Sequence, residues 1–143
     1  MYLVDTNVIS ALAPSNHSRA TAVIQWLDRA SGDLFLSAVT AAEVRAGIAK
    51  AERQKSTAKA ERLQAWWQSI EYLYGQKILP FDLRCAHLAG EIIDAARAHQ
   101  PGFADIAIAA TAKAHGLTIL TRNIRHFGPL GVPVHDPFQS LPG

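Results

Sequence analysis

The feature that most constrains this chain is the alternation of short apolar runs with longer segments of helical periodicity. Tyr2-Leu3-Val4, Leu34-Phe35-Leu36, Ile78-Leu79, Leu117 to Leu120 and Val132 to Val134 read as strands. Val8 to Leu12 gives a helical turn or two, stopped near Pro14. Ser18 is placed to cap a helix carrying Ala22, Val23, Trp26 and Leu27, ended by Ser31-Gly32. Thr40, with Glu43 three residues on, matches a capping box and opens a helix with Val44, Gly47 and Ile48 on its apolar face. Ser56 is placed to cap the next helix, which carries Leu63, Trp66, Trp67, Ile70 and Leu73. Leu83 to His99 is helical with Leu88, Ile92, Ile93 and Ala96 inward, and Phe103 to His115 is helical again until Gly116 closes it. Such alternation argues for an α/β domain, a parallel sheet of four or five short strands with helices on both faces. In sheets of this kind the ligand crevice lies beyond the carboxyl ends of the strands. At 143 residues the expectation is one domain over 1–143, with 137–143 as a loose tail.

Composition narrows the function classes. Only 18% of residues are charged, below the ~25% of an average domain, so disorder is disfavoured. A single cysteine, Cys85, excludes an internal disulfide framework and a zinc site built on several thiolates. No apolar run is long enough to span a membrane, and Met1 to Asp5 has no basic, signal-like start, so a soluble cytoplasmic protein is the default. The net charge of +2 conceals segregation. Between Arg45 and Arg62 six Lys and Arg face two Glu, a local charge of +4 that leaves −2 for the rest. This basic arm is either a solvated helix face or an attractor of phosphate backbones.

Three acids stand out. Asp5 directly follows the first strand, Glu43 lies at the start of the helix after the second, and Asp105 lies in the first turn of the helix leading to the fourth. Asn123 falls just beyond that fourth strand. Each has an ordinary explanation: an Asx turn for Asp5, the capping box for Glu43, a favourable dipole position for Asp105, a turn for Asn123. Those explanations do not account for all four falling at one edge of one sheet. Two carboxylates ~4 Å apart repel by about 4 kcal/mol at an effective dielectric of 20, and three by roughly 10 kcal/mol. Such a cluster calls for a neutralising cation, and an all-oxygen set suits Mg²⁺ or Mn²⁺. The chemistry that follows is phosphoryl transfer or phosphodiester hydrolysis.

Competing motifs are absent. The six histidines form no H-E-x-x-H, H-x-H or i, i+4 pair. His126, near Asn123, is a surface or cap residue or a substrate contact. There is no G-x-x-x-x-G-K-[ST], G-x-G-x-x-G or G-x-S-x-G element. A phosphoaspartate phosphatase would need D-x-D, but Asp5 is followed by Thr6-Asn7. Trp66 and Trp67 read as core or interface, with base stacking as the alternative.

Four segments in order, Val4-Asp5-Thr6-Asn7-Val8-Ile9-Ser10, Ser37 to Gly47, Phe103 to Ala110 and Leu120-Thr121-Arg122-Asn123-Ile124-Arg125-His126-Phe127, resemble PIN-domain proteins, above all the VapC toxin group with its FitB-like members. The resemblance spans essentially the whole chain. It implies a three-layer α/β/α fold and a Mg²⁺- or Mn²⁺-dependent endoribonuclease, acting as the toxin of a type II toxin–antitoxin system. It implies metal binding by Asp5, Glu43 and Asp105, with Asn123 in a fourth position that is aspartate in many members. Asparagine supplies no charge there, so one well-held ion is expected, with any second ion depending on RNA. Thr6 and Thr121 match hydroxyl positions that orient water or phosphate, or else cap turns. The resemblance further implies a homodimer, a VapB-type antitoxin whose peptide occupies the groove, operator DNA bound through that antitoxin, and transfer RNA or another structured RNA as substrate. The rival reading is a non-catalytic module of the same fold that binds antitoxin or RNA.

Overall fold

In the computed structural model, which describes residues 1–14 and 21–143, the alternation resolves into a five-stranded, wholly parallel sheet. The strands are β1 (Tyr2–Val4), β2 (Leu34–Ser37), β3 (Ile78–Leu79), β4 (Thr118–Leu120) and β5 (Val134–His135). The helices are α1 (Thr6–Ile9), α2 (Thr21–Arg29), α3 (Ala38–Arg53), α4 (Thr57–Tyr74), α5 (Leu83–Ala95), α6 (Phe103–His115) and α7 (Ile124–Phe127). The sheet order is β3-β2-β1-β4-β5. Strand addition therefore proceeds outward on one side of β1 and then restarts on the other, which makes the β1/β4 seam the topological switch point.

Strand residues alternate between two cores, as a period of two requires. Leu3, Phe35, Leu79 and Ile119 face α5 and α6, while Val4, Leu34, Leu36 and Leu120 face α1 to α4. This is the expected three-layer α/β/α arrangement. The alanine-rich α6 is buried almost all round, from Ile106 to Ala112, so it can press closely on both the sheet and α5. Gly116 ends it in the left-handed region at φ 65°, as its sequence position suggests. Among the described residues, no helix is long and apolar enough to cross a membrane.

Several local expectations are corrected. Helix α3 begins earlier than Thr40: Ser37 is its N-cap, its hydroxyl accepting from the Val39 N–H at 3.0 Å. Thr40 is fully buried inside the helix, so no Thr40–Glu43 capping box forms, and Gly47 is exposed rather than part of the apolar face. Ser56 precedes α4 but its side chain makes no capping bond. Leu73 and Ile93 point outward, because Ala60, Trp67, Ile70 and Tyr74 on α4, and Cys85, Ala89 and Ile92 on α5 with Ala96 at its C-cap, already supply the buried stripes. Helix α5 ends at Ala95 rather than His99. The last strand is shifted to Val134–His135, since Val132 is needed in the core. The tail is not loose where it begins: Pro137 is buried, and Phe138 packs on the α2-side core beneath the Arg122 guanidinium, 4.1 Å from its ring centre. The proposed cap Ser18 lies outside the described residues.

The two serines make a clean comparison. Ser37→Ala removes a working cap and is expected to cost about 1 kcal/mol, whereas Ser56→Ala changes stability by only a few tenths. Urea denaturation of both variants measures the difference, and equal costs would refute the shifted helix start.

Candidate active site

The switch point places the end of β1 beside the end of β4, and the site grows from that juxtaposition. Asp5 follows β1 in extended conformation (φ −69°, ψ 157°) and caps α1. Its Oδ1 accepts from the Thr6 N–H at 2.8 Å. Its Oδ2 accepts from the hydroxyl of Thr121, the residue after β4, at 2.9 Å. Thr121 is fully buried and Asp5 is only 5% exposed, so this is a desolvated pair. Thr121 Oγ1 in turn accepts from the Asn123 N–H at 3.0 Å and from Asn7 Nδ2 at 3.4 Å. Asn7 completes the clasp, its Oδ1 accepting from the Arg122 N–H at 3.2 Å.

Glu43 is joined to the same cluster through Thr6. The Thr6 hydroxyl donates to Glu43 Oε1 at 2.6 Å and lies 3.1 Å from the hydroxyl of Thr40. A hydroxyl has one proton to give. With that of Thr6 committed to the carboxylate, Thr40 is the donor to Thr6, so a buried threonine on α3 orients the hydroxyl that holds Glu43. Glu43 is thus occupied across the crevice rather than in a cap. Asp105, half-buried on the first turn of α6, has His126 Nδ1 3.5 Å from its Oδ2.

Of the six residues singled out in the sequence, Asp5, Thr6, Glu43 and Thr121 stand in this bonded cluster, with Asp5 joined to Thr121 and Thr6 to Glu43 directly through their side chains. Asp105 lies within electrostatic reach of Asp5. Asn123 is present through its backbone, with its side chain exposed. Sequence reasoning missed Asn7, Thr40 and the contact of His126 with Asp105. The Asp5-Thr6-Asn7 run held the signal for Asn7, because a short polar side chain beside a strand end has little to bond except the neighbouring loop. Thr40 carried none beyond the cap it does not form.

Electrostatics set the character of the site. Burial pushes the Asp5 carboxyl up from 3.8 to about 6, against the lowering by its bonds from Thr121 and the Thr6 N–H. The charges of Glu43 and Asp105 push it the same way as burial. Among the described residues, no Lys or Arg forms an ion pair with any of the three acids. Nor do any three His, Cys, Asp or Glu among them close up into a ready metal cage. The donor set is all oxygen and has no Lys or Arg partner among the described residues, and Mg²⁺ is commonly held by one or two carboxylates with water completing the shell. The residues therefore fit a hard divalent cation.

A raised carboxyl pKa means that the native state binds more protons than the unfolded chain between pH ~4 and ~6. Stability contributed at Asp5 therefore falls as pH rises through that window and stays low above it. Asp5→Asn is expected to stabilise the cation-free protein above pH 6 by at most about 3 kcal/mol, less whatever the lost acceptor costs, and to be near neutral at pH 4. Thermal melts across pH in chelator test this; a variant destabilised at pH 8 would show that the Asp5 charge is not a strain.

The chain is similar to known proteins along nearly its whole length. A PIN-domain family model matches residues 2–128. Toxin FitB of Neisseria gonorrhoeae is 41% identical over 145 residues, covering 98% of this chain and all of that protein. VapC ribonuclease Y4jK of Sinorhizobium fredii is 36% identical over 97% of this chain and 99% of its own. The crystal structure of FitAcB from Neisseria gonorrhoeae superposes with a TM-score of 0.78 at 40% identity, over 96% of this chain and 99% of that one.

Proposed function

The chain belongs to the PIN-domain family, and from that premise we propose that it is the toxin of a type II toxin–antitoxin system, a single-domain endoribonuclease that hydrolyses RNA phosphodiester bonds with the help of Mg²⁺ or Mn²⁺. The observation that carries the reading is Asp5, a buried carboxylate at the sheet's switch point, held by two neutral donors and facing two further acids. A purely structural site has no use for that uncompensated charge.

In this reading Asp5 and Asp105 would hold the cation, Glu43 would complete the site directly or through water, and Asn123 would orient a water. When bound, such an ion makes hydroxide available near neutral pH and offsets charge on the phosphate. The chain's own part is positioning. Thr121 fixes the carboxylate plane of Asp5, Thr6 fixes Glu43, and His126 steadies Asp105. The exposed cations Arg45, Lys50, Arg53, Lys55, Lys59 and Arg62 project from the α3–α4 hairpin and attract the RNA backbone. Transfer RNA or another structured RNA is the substrate class. The partner is a VapB-type antitoxin, through which operator DNA is reached, and the setting is the cytoplasm. A homodimer belongs to the same reading; Leu83, Ile93 and Phe103 leave apolar surface on α5 and α6.

Purified protein is expected to cut a mixed RNA pool with Mg²⁺ or Mn²⁺ and not in chelator, while Asp5→Asn loses at least 100-fold in rate and stays folded. Folded, antitoxin-free protein that binds intact transfer and ribosomal RNA without cutting would instead establish the non-catalytic module. For the arm, changing Lys50, Lys55 and Lys59 to Gln should flatten the salt dependence of RNA binding by about 0.7 log units for each phosphate no longer neutralised. An unchanged slope would leave the arm as a solvated face.

A further inference from the structure

A cavity of about 200 Å³ opens beside the acids, lined by Thr6, Glu43, Val44, Gly47, Leu63 and Trp66. Its polar end is the Thr6–Glu43 hydrogen bond, and its floor is apolar and aromatic. Gly47 leaves it open: a Cβ at that position would meet nothing within 4 Å. Trp66 is half-buried, and its indole N–H is buried with no acceptor among the described residues.

What surrounds the cavity identifies its occupant. On α3, Glu43, Gly47 and Lys50 recur at i, i+4 and i+7, so they share a face and step away from the acids by about 5 Å per turn. On α4, Lys59, Arg62 and Trp66 share a face by the same rule, and α4 packs against α3. Lys50, Lys59 and Arg62 are all exposed and, among the described residues, form no ion pair. The order along the groove is therefore carboxylates, then an aromatic-floored cavity one helical turn on, then cations. An apolar side chain by itself would use the floor but not the flanking cations, and a peptide would need acidic residues in register to use both. A single strand of nucleic acid uses both, stacking a base on the ring and laying phosphates against the lysines and arginine.

We propose that the cavity between Gly47 and Trp66 is a nucleobase subsite, which receives the base next to the scissile phosphate and sets the base preference of cleavage. The proposal rests on the reading of the chain as a ribonuclease. Trp66 and Gly47 touch substrate there without taking part in bond breaking.

Gly47→Leu is the informative variant, since it fills the cavity from a helical, unobstructed position and does not threaten the fold. Trp66→Leu removes the stacking surface from the other side. With a short random-sequence single-stranded RNA as substrate and the cut ends sequenced, wild type is expected to show a base bias at one position beside the cut. Each variant should flatten that bias and lower kcat/KM on the preferred sequence by about 5- to 150-fold, the usual worth of one stacked base. The Mn²⁺-induced rise in melting temperature should stay as in wild type. A second readout is independent of cutting: in chelator, an all-deoxy oligonucleotide should quench tryptophan fluorescence in wild type and not in Gly47→Leu. Quenching without cleavage would keep the subsite while removing the ribonuclease reading. Cleavage with an unchanged bias and rate in both variants would overturn the subsite, and if Gly47→Leu then weakened only antitoxin binding, the cavity would belong to that partner.

Discussion

The bond from the Thr121 hydroxyl to the Asp5 carboxylate holds the molecule's two halves to one purpose. Strand β1 is central, with β2 and β3 added on one side and β4 and β5 on the other. A sheet built this way must splay its loops apart at the seam, and polar side chains fill the gap. Thr121, Asn7 and Asp5 do so with neutral donors only, which leaves the carboxylate desolvated and only partly compensated. Both the rigidity of the site and its affinity for positive charge come from that one arrangement.

Charge is distributed to match. Among the described residues the acids in the crevice have no Lys or Arg partner, while six Lys and Arg are collected on the α3–α4 hairpin. Helix α3 joins the two regions, since Glu43 stands near its start and Arg53 ends it. In the proposed function, a polyanion drawn to the hairpin is thereby led along one helix toward a site that its own charge would otherwise avoid. In the same reading, a cation accompanying the acids is what reconciles attraction at a distance with repulsion at the centre.

Much of this was legible in the residues. The strand runs, the closing role of Gly116 and the placement of Asp5, Glu43 and Asp105 at one sheet edge followed from periodicity and from the rule for parallel sheets. What escaped did so for physical reasons. Ser37 and Thr40 are both good caps, and only the exact end of β2 decides between them. Leu73 and Ile93 are apolar residues beside stripes already full, and periodicity alone does not rank two adjacent candidates. Asn7 and Thr40 act through contacts 114 and 34 residues away in sequence, directly or by way of Thr6, and no local pattern encodes such partners.

The great distance along the chain between Asp5 and Thr121, 116 residues, also governs when the site can exist. A polypeptide leaves the ribosome amino end first, and domains fold as units once their parts have emerged. Strand β1 waits for β4 to complete its pairing, so the Asp5 carboxylate lacks its clasp until Thr121 has emerged. A site that depends on that clasp therefore forms only after both halves of the sheet are present.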